Sequence, residues 1–285
     1  MSDATFAAAL HLVQMKRPQE ALKKLGEAFD PEDPWEWWLR GVALFDLDRE
    51  AEAAEAVQRG LALDPESTQL LAMLARCRLY LRDLGSAEDA ILGALRLDAE
   101  DADNLALYAH IVAAAGQFEK AKKLLERARR IDPENEAAMR MQSFLAAARG
   151  DDREALLHSR ELLAINPEDV HAHRVAGSLL HRRGDVESAA PHLRTAVVID
   201  PFEHGVAELA RENRVWRNPF MWPLRPLQRV GIGAMWIAAV TIMFVSRRVA
   251  PVSVQLAIAI VWVVYCVYSW VVPPLVRRWL DRHAR

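Results

Sequence analysis

The chain has 285 residues, 52% hydrophobic and 26% charged, with few Gly and Pro, a mix that favours an all-helical protein of one or two domains with buried cores. Its net charge of −3 hides an asymmetry: residues 1–203 carry −11 and residues 204–285 carry +8. The acidic part offers no basic face to a phosphate backbone, so no nucleic acid is expected as a partner, and Cys77 and Cys266 make neither a CxxC unit nor a disulfide framework.

The N-terminus, Met1-Ser-Asp-Ala-Thr-Phe, lacks the basic start and apolar core of a signal peptide, so the first 200 residues are expected in the cytoplasm. From Asp30 onward a turn recurs: Asp30-Pro31, Asp64-Pro65, Asp98-Ala99, Asp132-Pro133, Asn166-Pro167 and Asp200-Pro201, each 34 residues after the last. Proline lacks an N–H and pushes the preceding residue out of the α region, which stops a helix. Two residues later stand Asp33, Ser67, Asp101, Asn135, Asp169 and Glu203, and the first five are good N-caps for the helix that follows. Asp33 also precedes Pro34, a favoured first helical residue, and Glu36 in capping-box position.

Two further columns keep the same period. Ala53, Ala87, Ala121, Ala155 and Ala189 form one, and Gly41, Ala75, Ala109, Ser143 and Gly177 the other. Small side chains at both let two helix backbones approach. Gly116, Gly150 and Gly184 suit the tight turn inside each hairpin. Leu74, Leu105, Tyr108, Ile91, Leu125 and Leu193 fill the inward positions. Cys77, near the packed face of a helix, is expected in the core.

This pattern resembles the tetratricopeptide-repeat family, with Trp37, Gly41, Ala53 and Pro65 matching in one unit and Gly177, Ala189, Ala196 and Pro201 in another. The resemblance implies an all-α solenoid of helical hairpins. Five repeats are expected, 34–67, 68–101, 102–135, 136–169 and 170–203. Residues 1–33 form a degenerate cap, because Ala21, Leu25 and Ala28 sit out of register with Pro31. Residues 204–215 read as a capping helix, with Val206, Leu209 and Ala210 facing back.

The remainder reads as a two-helix transmembrane hairpin. Residues 216–229 form an interfacial linker with Pro219, Pro223 and Pro226, too many for a regular helix. Residues 230–246 are an uncharged run of 17, just long enough to span if Arg229 snorkels, and 252–272 are a second span that Pro273-Pro274 should end. Residues 273–285 would be a basic cytoplasmic tail. Trp216, Phe220, Trp222, Trp270 and Trp279 stand where an aromatic belt belongs. Arg211, Arg214, Arg217, Arg225 and Arg229 precede the first span and Arg277, Arg278, Arg282 and Arg285 follow the second, against only Arg247 and Arg248 between. The positive-inside rule then puts both ends in the cytoplasm, in the inner or plasma membrane if the source is bacterial.

No P-loop, HExxH or GxSxG motif is present, and neither catalysis nor a cofactor is expected. Gly231-Ile-Gly233 suits helix packing inside a span. His171, His173, His181 and His192 cluster in one repeat without i, i+4 metal spacing, which favours a surface or groove role. In the resembling family the first helix of each hairpin lines a peptide-binding concave surface. Carried over by column, it runs Trp38, Ala72, Ala106, Arg140, Arg174 and, one turn on, Val42, Arg76, His110, Phe144, Ser178. With Trp35 these give a mildly cationic, aromatic candidate groove for a protein or peptide, its carboxylates met by arginine. The Asn of the family's chaperone-binding carboxylate clamp is absent from both columns. A membrane-anchored cytoplasmic scaffold is the expected function. The alternatives are a structural or assembly subunit of a membrane complex, such as secretion or envelope machinery, and an enzyme centred on the histidine-rich repeat.

Overall fold

A computed structural model describes residues 3–200, 204–225 and 232–283. Expectations for Pro201 and Glu203, for the linker and span residues 226–231 including Arg229, and for Arg285 fall outside these residues. The described residues are all-helical, with no strand. They divide into two compact units, residues 1–149 and 150–285, so the boundary falls inside the repeat 136–169.

The first unit holds α1 (Asp3–Gln14), α2 (Pro18–Gly26), α3 (Pro34–Phe45), α4 (Glu50–Leu63), α5 (Thr68–Tyr80), α6 (Leu84–Leu97), α7 (Ala102–Ala114), α8 (Phe118–Ile131) and α9 (Glu136–Ala148). Helices α1 to α8 pair as four hairpins, and α3, α5, α7 and α9 lie side by side. The second unit holds α10 (Asp152–Ile165), α11 (Val170–Arg182), α12 (Val186–Ile199), α13 (His204–Arg217), a 3-10 turn (Pro219–Leu224), α14 (Ile232–Val249) and α15 (Val252–His283).

The turn chemistry follows the sequence period closely. Asp33, Ser67, Asp101, Asn135 and Asp169 each accept a hydrogen bond from a backbone N–H in the first turn of the next helix. The first residue of each recurring turn pair has its own task. Asp30, Asp64, Asp98, Asp132 and Asn166 accept from the N–H two residues on, closing a small side-chain turn across each junction. Glu36 corrects its expected role. It reaches back to the N–H of Asp30 at 2.8 Å rather than to that of Asp33, and it is fully buried.

Gly116, Gly150 and Gly184 take positive φ between 72° and 80°, as the tight inner turns require. The same column holds Asp48 (φ 56°) and Arg82 (φ 63°), where a side chain carries the left-handed strain that glycine would avoid. Lys16 (φ 57°) does the same in the first hairpin, two residues off the period. That offset explains the poor register of residues 1–33. They form a hairpin whose second helix has 9 residues, where α4 has 14.

Inside the first unit, Leu39, Leu70, Ile91, Leu105, Ile111 and Leu125 are fully buried with the Ala columns. Trp37 lies in the core with its ring edge on Phe29 at 4.7 Å, and its Nε1 donates to Pro31 O at 2.9 Å. Cys77 is buried, and burial pushes its thiol pKa up to about 11, which removes thiolate reactivity at neutral pH.

In the second unit, α13 packs on α12, with Val206 buried and Leu209 and Ala210 half-buried. Buried Asn213 sets its register: its Nδ2 donates to Val186 O at 2.9 Å and its Oδ1 lies 2.9 Å from His181 Nδ1. Asn213→Ala leaves a buried carbonyl and an imidazole N–H without partners, at about 2–3 kcal/mol. Hydrogen exchange should then speed up in α13 and the end of α11 while α10 keeps its protection.

The helix expected to stop at Pro273-Pro274 continues to His283. The two missing N–H groups leave Ser269 O and Trp270 O without their usual helical donors. Packing on both sides holds the helix through the prolines. Tyr265, Tyr268 and Val272 before them, and Val276 and Leu280 after them, meet Val215, Met221 and Leu224. Within the linker, Pro219–Leu224 form a 3-10 turn. Tyr268 Oη donates to Phe220 O at 2.6 Å and Tyr265 Oη to Pro223 O at 3.2 Å, while Arg217 and Arg225 both reach Glu187 on α12. Ala250-Pro251 joins α14 to α15, and Trp236 meets Trp262 edge-on at 5.5 Å.

Candidate functional site

The first unit brings together much of the candidate groove. Because α3, α5, α7 and α9 lie side by side, residues 34 apart become neighbours. Trp38 is half-buried against the core around Leu39 and Trp37, whereas Trp35 is exposed; their rings meet edge-on at 5.9 Å. Arg76 on α5 is exposed. His110 on α7 is half-buried, and its ring lies 6.2 Å from that of exposed Phe144 on α9. Arg140, one turn before Phe144, lies 3.6 Å from Glu136 on its own helix, which offsets part of its charge. The centre of this face is therefore Arg76, His110 and Phe144, a cation, an imidazole and an aromatic ring on three successive first helices.

Arg174 and Ser178 belong to the second unit. Arg174 Nη2 lies 2.7 Å from His171 Nδ1, and Ser178 Oγ donates to Val175 O at 3.0 Å on its own helix. Beside them His173 Nδ1 faces His192 Nδ1 at 2.9 Å, and His173 Nε2 lies 2.9 Å from Pro167 O. The carbonyl requires Nε2–H on His173, so with both rings neutral the shared Nδ1 proton sits on His192. Among the described residues no group of three or more His, Cys, Asp or Glu side chains is arranged to hold a metal ion. The His173–His192 pair escapes a sequence reading because its members lie 19 residues apart on two helices.

Burial holds the His110 pKa below the usual histidine range, and the Arg76 and Arg82 charges add to this. His192 is lowered by burial, then by His173 and Arg160. Both groups have folded pKa values below the unfolded one, so the unfolded chain binds more protons as pH falls through about 6.5. Stability is therefore complete above that pH and declines below it. The thermal midpoint should fall between pH 7.5 and 5.5, and His110→Gln with His192→Gln should flatten that slope.

The fold has clear counterparts. The tetratricopeptide-repeat family model matches residues 6–68 and 140–204. A thermophilic TPR protein of Thermus thermophilus superposes with TM-score 0.58 at 18% identity over 64% of this chain and 99% of its own. PilF of Pseudomonas aeruginosa gives 0.52 at 16% identity over 74% and 96%. The Cut9–Hcn1 assembly gives 0.63 at 13% identity over 79% of this chain, which spans 45% of that one. No curated protein sequence matches the chain. At these identities the likeness concerns the fold. Family model, 34-residue period, capped hairpins and structural neighbours agree, and the chain carries tetratricopeptide repeats in a tetratricopeptide-type solenoid fold.

Proposed function

We propose that this chain is a membrane-anchored scaffold whose repeats hold a protein or peptide partner on the cytoplasmic side of a bilayer. The observation that carries the reading is α15. Its stretch Val252–Leu280 is long and apolar enough to cross a membrane, and no residue of its most apolar window is buried against the rest of the described chain. A soluble helix of that composition would bury a face. The arginines on both sides of the two apolar helices support a cytoplasmic placement of the repeats and of the C-terminal end of α15. The 3-10 turn, with exposed Phe220 and Trp222, suits the interface between headgroups and hydrocarbon.

For the partner, the first unit's Arg76–His110–Phe144 face supports an acidic or carboxylate-bearing segment laid over an aromatic ring. Two experiments test the proposal. Full-length protein should stay with membranes through alkaline carbonate washing; release into the wash removes the anchor. Cross-linking and pull-down from native membranes should recover a partner that Arg76→Glu with Phe144→Ala loses by roughly 30-fold, about 2 kcal/mol, as for a central interface residue. Undiminished recovery moves the binding surface elsewhere.

A further inference from the structure

Between the 3-10 turn and α15 lies a crevice of about 310 Å³, lined by Asn218, Phe220, Val272, Leu275, Val276 and Trp279. Val276 is buried with Val215, Met221 and Leu224, while Phe220, Leu275 and Trp279 keep exposed surface at the rim. Five of the six lining residues are apolar, and the crevice continues the apolar surface of α15. The next cations along the helix are Arg278 and Arg282, both exposed.

The length of α15 places this crevice. Its 32 residues extend about 48 Å at ~1.5 Å per residue, against a hydrocarbon layer of roughly 30 Å. With the span starting at Val252, about 20 residues cross, so Val272 stands where hydrocarbon gives way to headgroups. Val272, Leu275, Arg278, Trp279 and Arg282 follow one another at short helical steps and so share a face of the helix. That face is apolar at the bilayer end and cationic one to two turns outward. A molecule matching it has a hydrocarbon chain and an anionic oxygen cluster at that separation, and guanidinium forks pair well with phosphate oxygens.

We propose that the crevice holds one acyl chain of an anionic phospholipid, with its phosphate on Arg278 and Arg282. The site gives the protein a lipid-specific foothold where α15 leaves the bilayer. Through Tyr265, Tyr268 and the Glu187–Arg225 pair, the occupied crevice is joined to α12 and the cap of the repeats. This inference rests on the membrane reading above.

The test uses the full chain in nanodiscs of equal phosphatidylcholine and phosphatidylglycerol, with native mass spectrometry after release into detergent. The expected result is one phosphatidylglycerol retained, at least about tenfold over phosphatidylcholine. Leu275→Trp, which fills the crevice from its exposed rim, should abolish retention. Arg278→Glu with Arg282→Glu should remove the anionic preference. Equal retention of the two lipids by the wild type, or full retention by Leu275→Trp, overturns the proposal. So does a dimer mass with no lipid, which would put a second copy in the crevice. In these cases the protein still enters nanodiscs and the anchor stands; a chain that fails to incorporate at all overturns both readings.

Discussion

Gly177→Ala is expected to destabilise the α11–α12 hairpin by about 1–2 kcal/mol, and the same substitution in a Leu193→Ala background to be neutral or stabilising. A Cβ at Gly177 would stand 2.7 Å from Leu193 Cδ2, 2.8 Å from Cγ and 3.3 Å from the Leu193 backbone nitrogen. Leu193 is itself fully buried, so its side chain has nowhere to retreat. Overpacking of this kind costs about 1–3 kcal/mol, from which the better helix propensity of alanine returns up to about 1 kcal/mol. Leu193→Ala alone should cost about 3 kcal/mol, and it removes the atoms the new methyl would meet. The pair should therefore be non-additive by more than about 1 kcal/mol, and additive losses would show that the backbones are held apart by something else. Because each repeat reports mainly on its neighbours, hydrogen exchange of α11 and α12 is the readout, in place of a single global midpoint.

The columns behind this prediction stand openly in the sequence. Gly41 repeats the arrangement, with a Cβ meeting Val57 Cγ2 at 2.5 Å, whereas Ala75 and Ala109 show that one methyl fits at the same column in other hairpins. A strict period conveys such a column because every hairpin poses the same steric problem. The caps from Asp33 to Asp169 were legible for the same reason. Arg82 and Asp48 were not, since only glycine advertises positive φ and these two residues occupy it in the same turn. Glu36 was misread because its true partner, the Asp30 N–H, is fixed by the fold of the turn and by no local spacing. Of the candidate groove, the first-helix faces could be carried over by column. Glu136, four residues before Arg140 on the same helix, stands at readable ion-pair spacing, whereas the bond from Arg174 to His171 Nδ1 depends on the ring's rotamer and tautomer. Pro273-Pro274 failed as a stop signal because contacts formed after the prolines, at Val276 and Leu280, outweigh two lost hydrogen bonds.

Ile260→Arg combined with Val264→Arg should drive the chain out of the membrane fraction. The two side chains are 62% and 61% exposed and one turn apart near the middle of the apolar stretch of α15. Each substitution places a guanidinium where insertion costs about 2.5–3.5 kcal/mol, and each also forfeits roughly 0.5 kcal/mol of apolar gain, so the pair amounts to about 6–8 kcal/mol. Such a change shifts an insertion equilibrium by at least ~10⁴-fold. The contrast with a water-facing helix is sharp: there, replacing exposed apolar residues changes stability by about 0.5 kcal/mol or less. Adding Ile237→Arg, 70% exposed on α14, covers the case in which α14 holds the chain alone. Alkaline carbonate extraction of the single, double and triple variants reads the outcome, with hydrogen-exchange protection of α5 to α8 as the control for intact repeats. Substituted chains that sediment with membranes as the wild type does would mean that α15 meets water or another protein, and the scaffold would need a different tether.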